Sequence, residues 1–91
     1  MKHQRQIDTS GAALREAKQT RQLIADIDRI VQILDTDIAA EEGQARIFDP
    51  TQAEYPMVAR ALTARRDNLR ATIAALQERL VNVPIELLDP A

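Results

Sequence analysis

The sequence predicts an all-α fold: an antiparallel two-helix hairpin, coiled-coil-like, that dimerises into a four-helix bundle. Three observations predict this fold. Two apolar stripes recur at helical spacing on either side of a short connection, and blocks of opposite charge alternate along the 91 residues. Strand signals are missing, because the sequence has no sustained period-2 alternation and no hairpin turn such as Asn-Gly.

Each stripe repeats every three or four residues, which places its members on one face of a helix. The first stripe consists of Ile24, Ile27, Val31, Leu34 and Ile38, and the second of Leu62, Leu69, Ile73, Leu76, Leu80 and Val83. Leu23, Ile30 and Ile33 lie beside the first stripe and widen its apolar arc beyond what one partner helix covers. An uncovered apolar patch is typical of an interface. We therefore predict that these three residues form a self-association face of a homodimer, although a different partner protein would satisfy the same requirement.

The charge pattern favours an antiparallel arrangement. The net charge is +3 over residues 1–21, −5 over 22–50, +2 over 51–72 and −2 over 73–91. When the chain folds at its middle, the second block meets the third and the first meets the fourth, so both contacts pair opposite signs. Interhelical charges of this kind select orientation and register more than they add stability.

Capping residues and helix breakers give the predicted boundaries of a single domain, 1–91. Helix 1 is expected over about 9–42, with Thr9 or Ser10 as its N-cap and Gly43 as the residue after its end. The connection is 43–50, helix 2 spans about 51–83, and a short apolar tail follows over 84–91. The tail either docks on the end of the bundle or is a linear motif that another protein binds.

Two starts compete for helix 2. Asp49 can cap it with Pro50 at the first helical position, and a kink is then expected between Tyr55 and Met57. Alternatively Thr51 caps it and Glu54 completes a capping box, which places Pro56 near the first turn, where a missing amide costs least.

Composition excludes several classes of function. The chain has no cysteine, so disulfides, thiolate metal sites and a cysteine nucleophile are excluded. Its single histidine, His3, lies at the polar start, and neither a metal-ligand spacing nor a glycine-rich phosphate loop is present. We predict no enzymatic activity, no cofactor and no metal. Residues 1–20 lack an apolar run and no stretch is long enough for a membrane span, so we expect a cytoplasmic protein that binds no membrane.

Charged residues near the middle of each helix are expected to pair. Arg65 and Arg66 should lie opposite Val31, within reach of Asp28 and Asp35, and form a register-fixing ion-pair network. The alternative is a basic strip on helix 2 for phosphate or an acidic partner, formed by Arg60, Arg65, Arg66 and Arg70. The net charge of −2 makes nucleic acid an unexpected partner.

The hairpin tip is predicted to be acidic and to face a partner protein. Glu41 and Glu42 lie in the last turn of helix 1, where acidic groups oppose the helix dipole. Phe48 and Tyr55 are expected to plug the open end of the hairpin, or to act as exposed anchors for a partner. With Asp49, these residues form the predicted partner-facing tip.

The segment Asp49-Pro50, the run Ala53-Glu54-Tyr55 and the heptads from Arg66 to Leu80 resemble the tip and second helix of bacterial transcription factors of the Gre and DksA type. Those factors insert an antiparallel coiled coil with an acidic tip into the secondary channel of RNA polymerase. This chain departs from them in having Gln52 where a second acidic tip residue is expected, no cysteines for a zinc ribbon, and no room for their globular domain.

The functional prediction is a non-enzymatic module for protein–protein interaction or assembly. The alternative is a nucleic-acid-associated or transcription-related regulator that uses the helix 2 arginines or the acidic tip.

Overall fold

The chain folds into two helices that pack against each other as a hairpin. The computed structural model describes the backbone of residues 2–81 and the side chains of residues 11–81. Helix α1 spans Lys2–Ala45 and helix α2 spans Met57–Val81. The molecule measures 66 × 20 × 18 Å, and its length is what the 44 residues of α1 require at about 1.5 Å per residue. The predicted all-α hairpin is confirmed.

Helix α1 is longer at both ends than predicted. It begins at Lys2 rather than near Thr9, because the polar residues before Thr9 include good helix formers and no proline or glycine. It also continues through Gly43, whose φ is not positive, and ends at Ala45.

A non-glycine residue carries the left-handed conformation that ends α1. Arg46 has a φ of 58°, and the amide of Ile47 donates to the carbonyl of Glu42 at 3.3 Å. That six-residue bond, with a left-handed residue before its donor, is a Schellman motif. Ile47 also packs against the core near the tip, which supplies the apolar contact that accompanies such ends. This contact explains why the helix ends here rather than at Gly43.

The connection folds as turns up to Pro56, so neither predicted start of helix 2 is correct. Asp49 accepts hydrogen bonds from the amide and the hydroxyl of Thr51, at 2.9 and 2.7 Å, and thus caps a turn rather than a helix. Helix α2 starts at Met57, after Pro56, whose carbonyl accepts the first helical bond from Arg60 at 3.0 Å. Proline disfavours helical geometry at the residue before it and lacks an amide, so the turns cannot continue into α2.

The core lies along the seam between the two stripes. Near the middle of the molecule, Ile27, Val31 and Leu76 are buried, with Ile24, Leu69 and Ile73 packed on them. Near the tip, Ile38, Tyr55 and Ala59 are buried, with Ile47 and Leu62 beside them. Leu34 and Ala17 are also buried; Ala17 lies seven residues before Ile24 and extends the first stripe. The predicted seam is packed as far as Leu76 and Leu80 is half-buried, whereas Val83 and the tail 84–91 lie outside the described residues.

Candidate interaction surface

Three large apolar side chains of α1 lie in water beside the seam. Leu23 is 46% exposed, Ile30 is 41% exposed and Ile33 is 60% exposed. We call these three residues the flank face. Leu23 and Ile30 each directly precede a seam residue, which rotates them about 100° away from α2. A single partner helix therefore buries the seam of α1 and leaves its flank face uncovered.

The carboxylate of Asp26 lies between Leu23 and Ile30 on the same side of α1 and is neutralised locally. Asp26 accepts a hydrogen bond from the side-chain amide of Gln22 at 3.0 Å and forms an ion pair with Arg29. Both partners are on α1 itself, three or four residues away, where side chains of one helix can meet. This side of α1 therefore carries less free negative charge than its sequence suggests.

Helix α2 contributes to the same side of the molecule. Val58 is 54% exposed and precedes the buried Ala59, just as Ile30 precedes Val31. An open groove connects the two helices here, lined by Asp37, Ala40, Glu41, Gln44, Val58 and Leu62. The sequence reasoning missed Val58, although its place beside a seam residue was a usable signal.

The opposite side of the seam carries the interhelical ion pairs. Arg66 donates to Asp35 at 3.0 Å and to the neighbouring Asp67 at 3.2 Å, and Arg70 also donates to Asp35, at 3.4 Å. The hydrogen bond to Asp35 is the main reason that the pKa of Arg66 is raised. The predicted partnership of Asp35 and Arg66 is present. Arg70 was not predicted in it, although it follows Arg66 by one helical turn on the same face.

Two members of the predicted network lie elsewhere. Asp28 is seven residues from Asp35, which is about 10 Å along the helix, and its carboxylate accepts from Gln32 at 2.9 Å instead. Arg65 is exposed and makes no ion pair with any residue in 11–81, because its position next to Arg66 turns it away from Asp35. The four arginines therefore do not form a continuous free basic strip, since Asp35 holds two of them.

At the tip, Tyr55 closes the open end of the hairpin. Its side chain is 3% exposed, its hydroxyl donates to Glu42 at 2.7 Å, and the Arg60 guanidinium lies 5.2 Å from its ring centroid. The hydrogen bond to Glu42 is the main cause of the raised pKa of Tyr55. The interpretation of Tyr55 as a plug agrees with this geometry, and its assignment to the partner-facing tip was wrong because the ring is buried within the chain.

The remaining tip residues are more open to solvent. Phe48 is 64% exposed and does not plug the hairpin, contrary to expectation, because it follows the turn that sends Ile47 into the core. Asp49 is exposed, and the two hydrogen bonds from Thr51 lower its pKa. Glu41 is half-buried at the edge of the groove. The tip thus presents an aromatic side chain beside carboxylates.

Comparisons with known proteins do not add to this picture. No family model matches the chain, and no curated protein or solved structure matches it either. Within the described residues, no three acidic or histidine side chains are grouped so that they could hold a metal ion. Neither α1 nor α2 is apolar enough over a sufficient length to cross a membrane.

Proposed function

We propose that this chain is a non-enzymatic assembly module that forms a homodimer through the flank face. In the proposed dimer, two hairpins pack with two-fold symmetry into a four-helix bundle, and α1 lies at its centre. The proposal includes no catalytic role for any residue.

The observation that carries the proposal is the exposure of Leu23, Ile30 and Ile33 along one flank of a helix whose seam is already occupied. Each of these side chains keeps about half of its surface in water, so covering it would contribute roughly 1 kcal/mol. A symmetric dimer covers all three side chains twice, for a total of about 6 kcal/mol. Val58, on the same side of α2, would add to that area.

The size of the core supports the same proposal. A two-helix hairpin has a single seam, and the buried side chains along it in residues 11–81 form two small clusters, which is little for a self-sufficient core. Adding a second hairpin gives α1 a second apolar contact without any change in the first. Self-association would therefore stabilise each hairpin by mass action as well as join the two copies.

Light scattering at several protein concentrations tests the proposal. The expected mass is twice the 10.2 kDa of one chain. Ile30→Asp should shift the mass to that of one chain, because dimerisation would bury an unpaired carboxylate at the centre of the flank face. Ala25→Asp is the matched control: it adds the same charge to an exposed position on the far side of α1 and should leave the mass unchanged.

Circular dichroism separates loss of the dimer from loss of the fold. If Ile30→Asp also unfolds the chain, Ile33→Asp provides the same test at the most exposed of the three positions. A wild-type chain that stays monomeric at tens of micromolar, or a folded Ile30→Asp variant that keeps the dimer mass, would refute the proposal.

A further inference from the structure

The free charges of α1 are separated along its length. Arg15 and Lys18 lie toward its beginning, and Asp37 and Glu41 lie toward its end. None of these four makes an ion pair with another residue in 11–81. The carboxylates near these four residues already have partners: Arg79 binds Glu16 at 3.4 Å, two arginines of α2 bind Asp35, and Tyr55 donates to Glu42. Each α1 therefore offers one basic and one acidic segment to a second copy.

We infer that the two copies pair antiparallel along α1, with the two-fold axis crossing near the level of Asp28. This inference rests on the self-association proposed above and specifies its geometry. Leu23 and Ile33 each lie five residues from Asp28, so Leu23 of one copy meets Ile33 of the other, twice in the dimer. Gln19 and Asp37 each lie nine residues from Asp28 and meet in the same way.

Charge selects the antiparallel orientation. In a parallel pair, the basic segments of the two copies would lie beside each other, and so would their acidic segments. The antiparallel pair instead brings Arg15 and Lys18 to the level of Asp37 and Glu41 of the second copy, at both ends of the contact. Like charges across an interface are costly and opposite charges fix its register.

Charge also selects among antiparallel registers. In the proposed dimer, the contact between the two copies of α1 would be formed by residues at alternating spacings of four and three: Gln19, Leu23, Asp26, Ile30, Ile33 and Asp37. In the proposed register, Asp26 faces Ile30 of the second copy, and its charge is met by its own Arg29 and Gln22. A slip of one heptad would place Ile30 against Ile33, but it would also set Asp26 against Asp37 twice.

Cysteine cross-linking tests the register, because the chain has no cysteine of its own. Ala12→Cys and Gln44→Cys each lie sixteen residues from Asp28, at exposed uncharged positions, and leave the flank face and every charge of α1 intact. The two variants are mixed in equal amounts, unfolded and refolded together, and oxidised with oxidised glutathione. A disulfide needs the two Cβ atoms within about 4.5 Å, so it reports which positions meet. We expect at least ten times more cross-linked dimer in the mixture than in either variant alone.

Each other outcome overturns the register in a distinguishable way. Cross-linking of Ala12→Cys with itself would show a parallel pair. Preferential cross-linking of Gln19→Cys with Gln44→Cys would show the register slipped by one heptad. No cross-link in a sample whose light-scattering mass is that of a dimer would refute the register while leaving the proposed function in place. A monomer mass for the uncross-linked variants and the wild type would refute both.

Discussion

Substitutions of Gly43 and Arg46 test where helix α1 ends. Gly43 lies in the last turn of the helix, its φ is not positive, and a Cβ at this position would meet nothing within 4 Å. Gly43→Ala should therefore stabilise the fold by about 0.5 kcal/mol, since glycine is a poorer helix former than alanine. Arg46 has a φ of 58°, where a residue with a Cβ is strained by roughly 1 kcal/mol. Arg46→Gly should relieve that strain and stabilise the fold by a similar amount.

Thermal unfolding followed by circular dichroism measures both effects. For a domain of this size, 1 kcal/mol corresponds to a shift of about 4–8 °C in Tm. All samples should have the same protein concentration, because self-association changes apparent stability. Arg46→Ala is the matched control, since it removes the same side chain but keeps a Cβ at the strained position, and its Tm should change little.

The opposite pattern would refute the reasoning. If Gly43 were the left-handed residue that the sequence suggests, Gly43→Ala would lower Tm and Arg46→Gly would not raise it. A stabilising effect of Arg46→Ala equal to that of Arg46→Gly would mean that the guanidinium, and not the backbone, is the source of strain.

Two further predictions concern charged residues. Asp35→Asn removes the acceptor shared by Arg66 and Arg70 and should lower the free energy of unfolding, measured in urea at low salt, by about 1 kcal/mol. The control Asp28→Asn should change it by less than about 0.5 kcal/mol, and equal effects of the two substitutions would contradict the pairing. The effect of Asp35→Asn should become smaller in about 1 M salt. The hydrogen bonds from Thr51 that lower the pKa of Asp49 stabilise the fold fully above its ordinary pKa of 3.8, and this contribution is lost as the pH falls through the lower folded value. As the pH falls from about 5 to below 3.8, the wild type should therefore lose more stability than Asp49→Asn. Parallel acid limbs for the two proteins would rule that contribution out.

Periodic features of the fold could be predicted from the sequence. The stripe from Ile24 to Ile38 and the stripe from Leu62 to Leu80 each repeat over several turns, so every residue supports the assignment of the next. The exposure of Leu23, Ile30 and Ile33 followed from the same periodicity, because position on a helical wheel decides which side chains one partner can cover. The pairing of Asp35 with Arg66 could be predicted because Asp35 lies beside the seam and Arg66 lies within it.

Features that depend on a single turn could not be predicted in the same way. The end of α1 depends on Ile47 reaching the core, and this contact outweighs the preference for glycine at a left-handed position. The start of α2 depends on Pro56, whose effect on Tyr55 outweighs two plausible caps upstream. The observed boundaries differ from the predicted ones by three residues at the end of α1 and by about six at the start of α2. Phe48 and Tyr55, which were expected to act together, therefore lie in different parts of the connection, and one is exposed while the other is buried.

The register within the hairpin and the register proposed between hairpins depend on the same kind of selection. Within the hairpin, a slip of seven residues changes the apolar contacts little, because one isoleucine or leucine replaces another. Between hairpins, the slip would move Ile30 from Asp26 to Ile33 of the second copy, so apolar contact alone does not select the proposed register. Charges are not indifferent to such a slip: it would separate Asp35 from Arg66 within the hairpin and bring Asp26 against Asp37 between hairpins. Burial of Leu23, Ile30 and Ile33 would therefore supply most of the energy of the proposed dimer, while the few charges beside them would decide which alignment of the two helices forms.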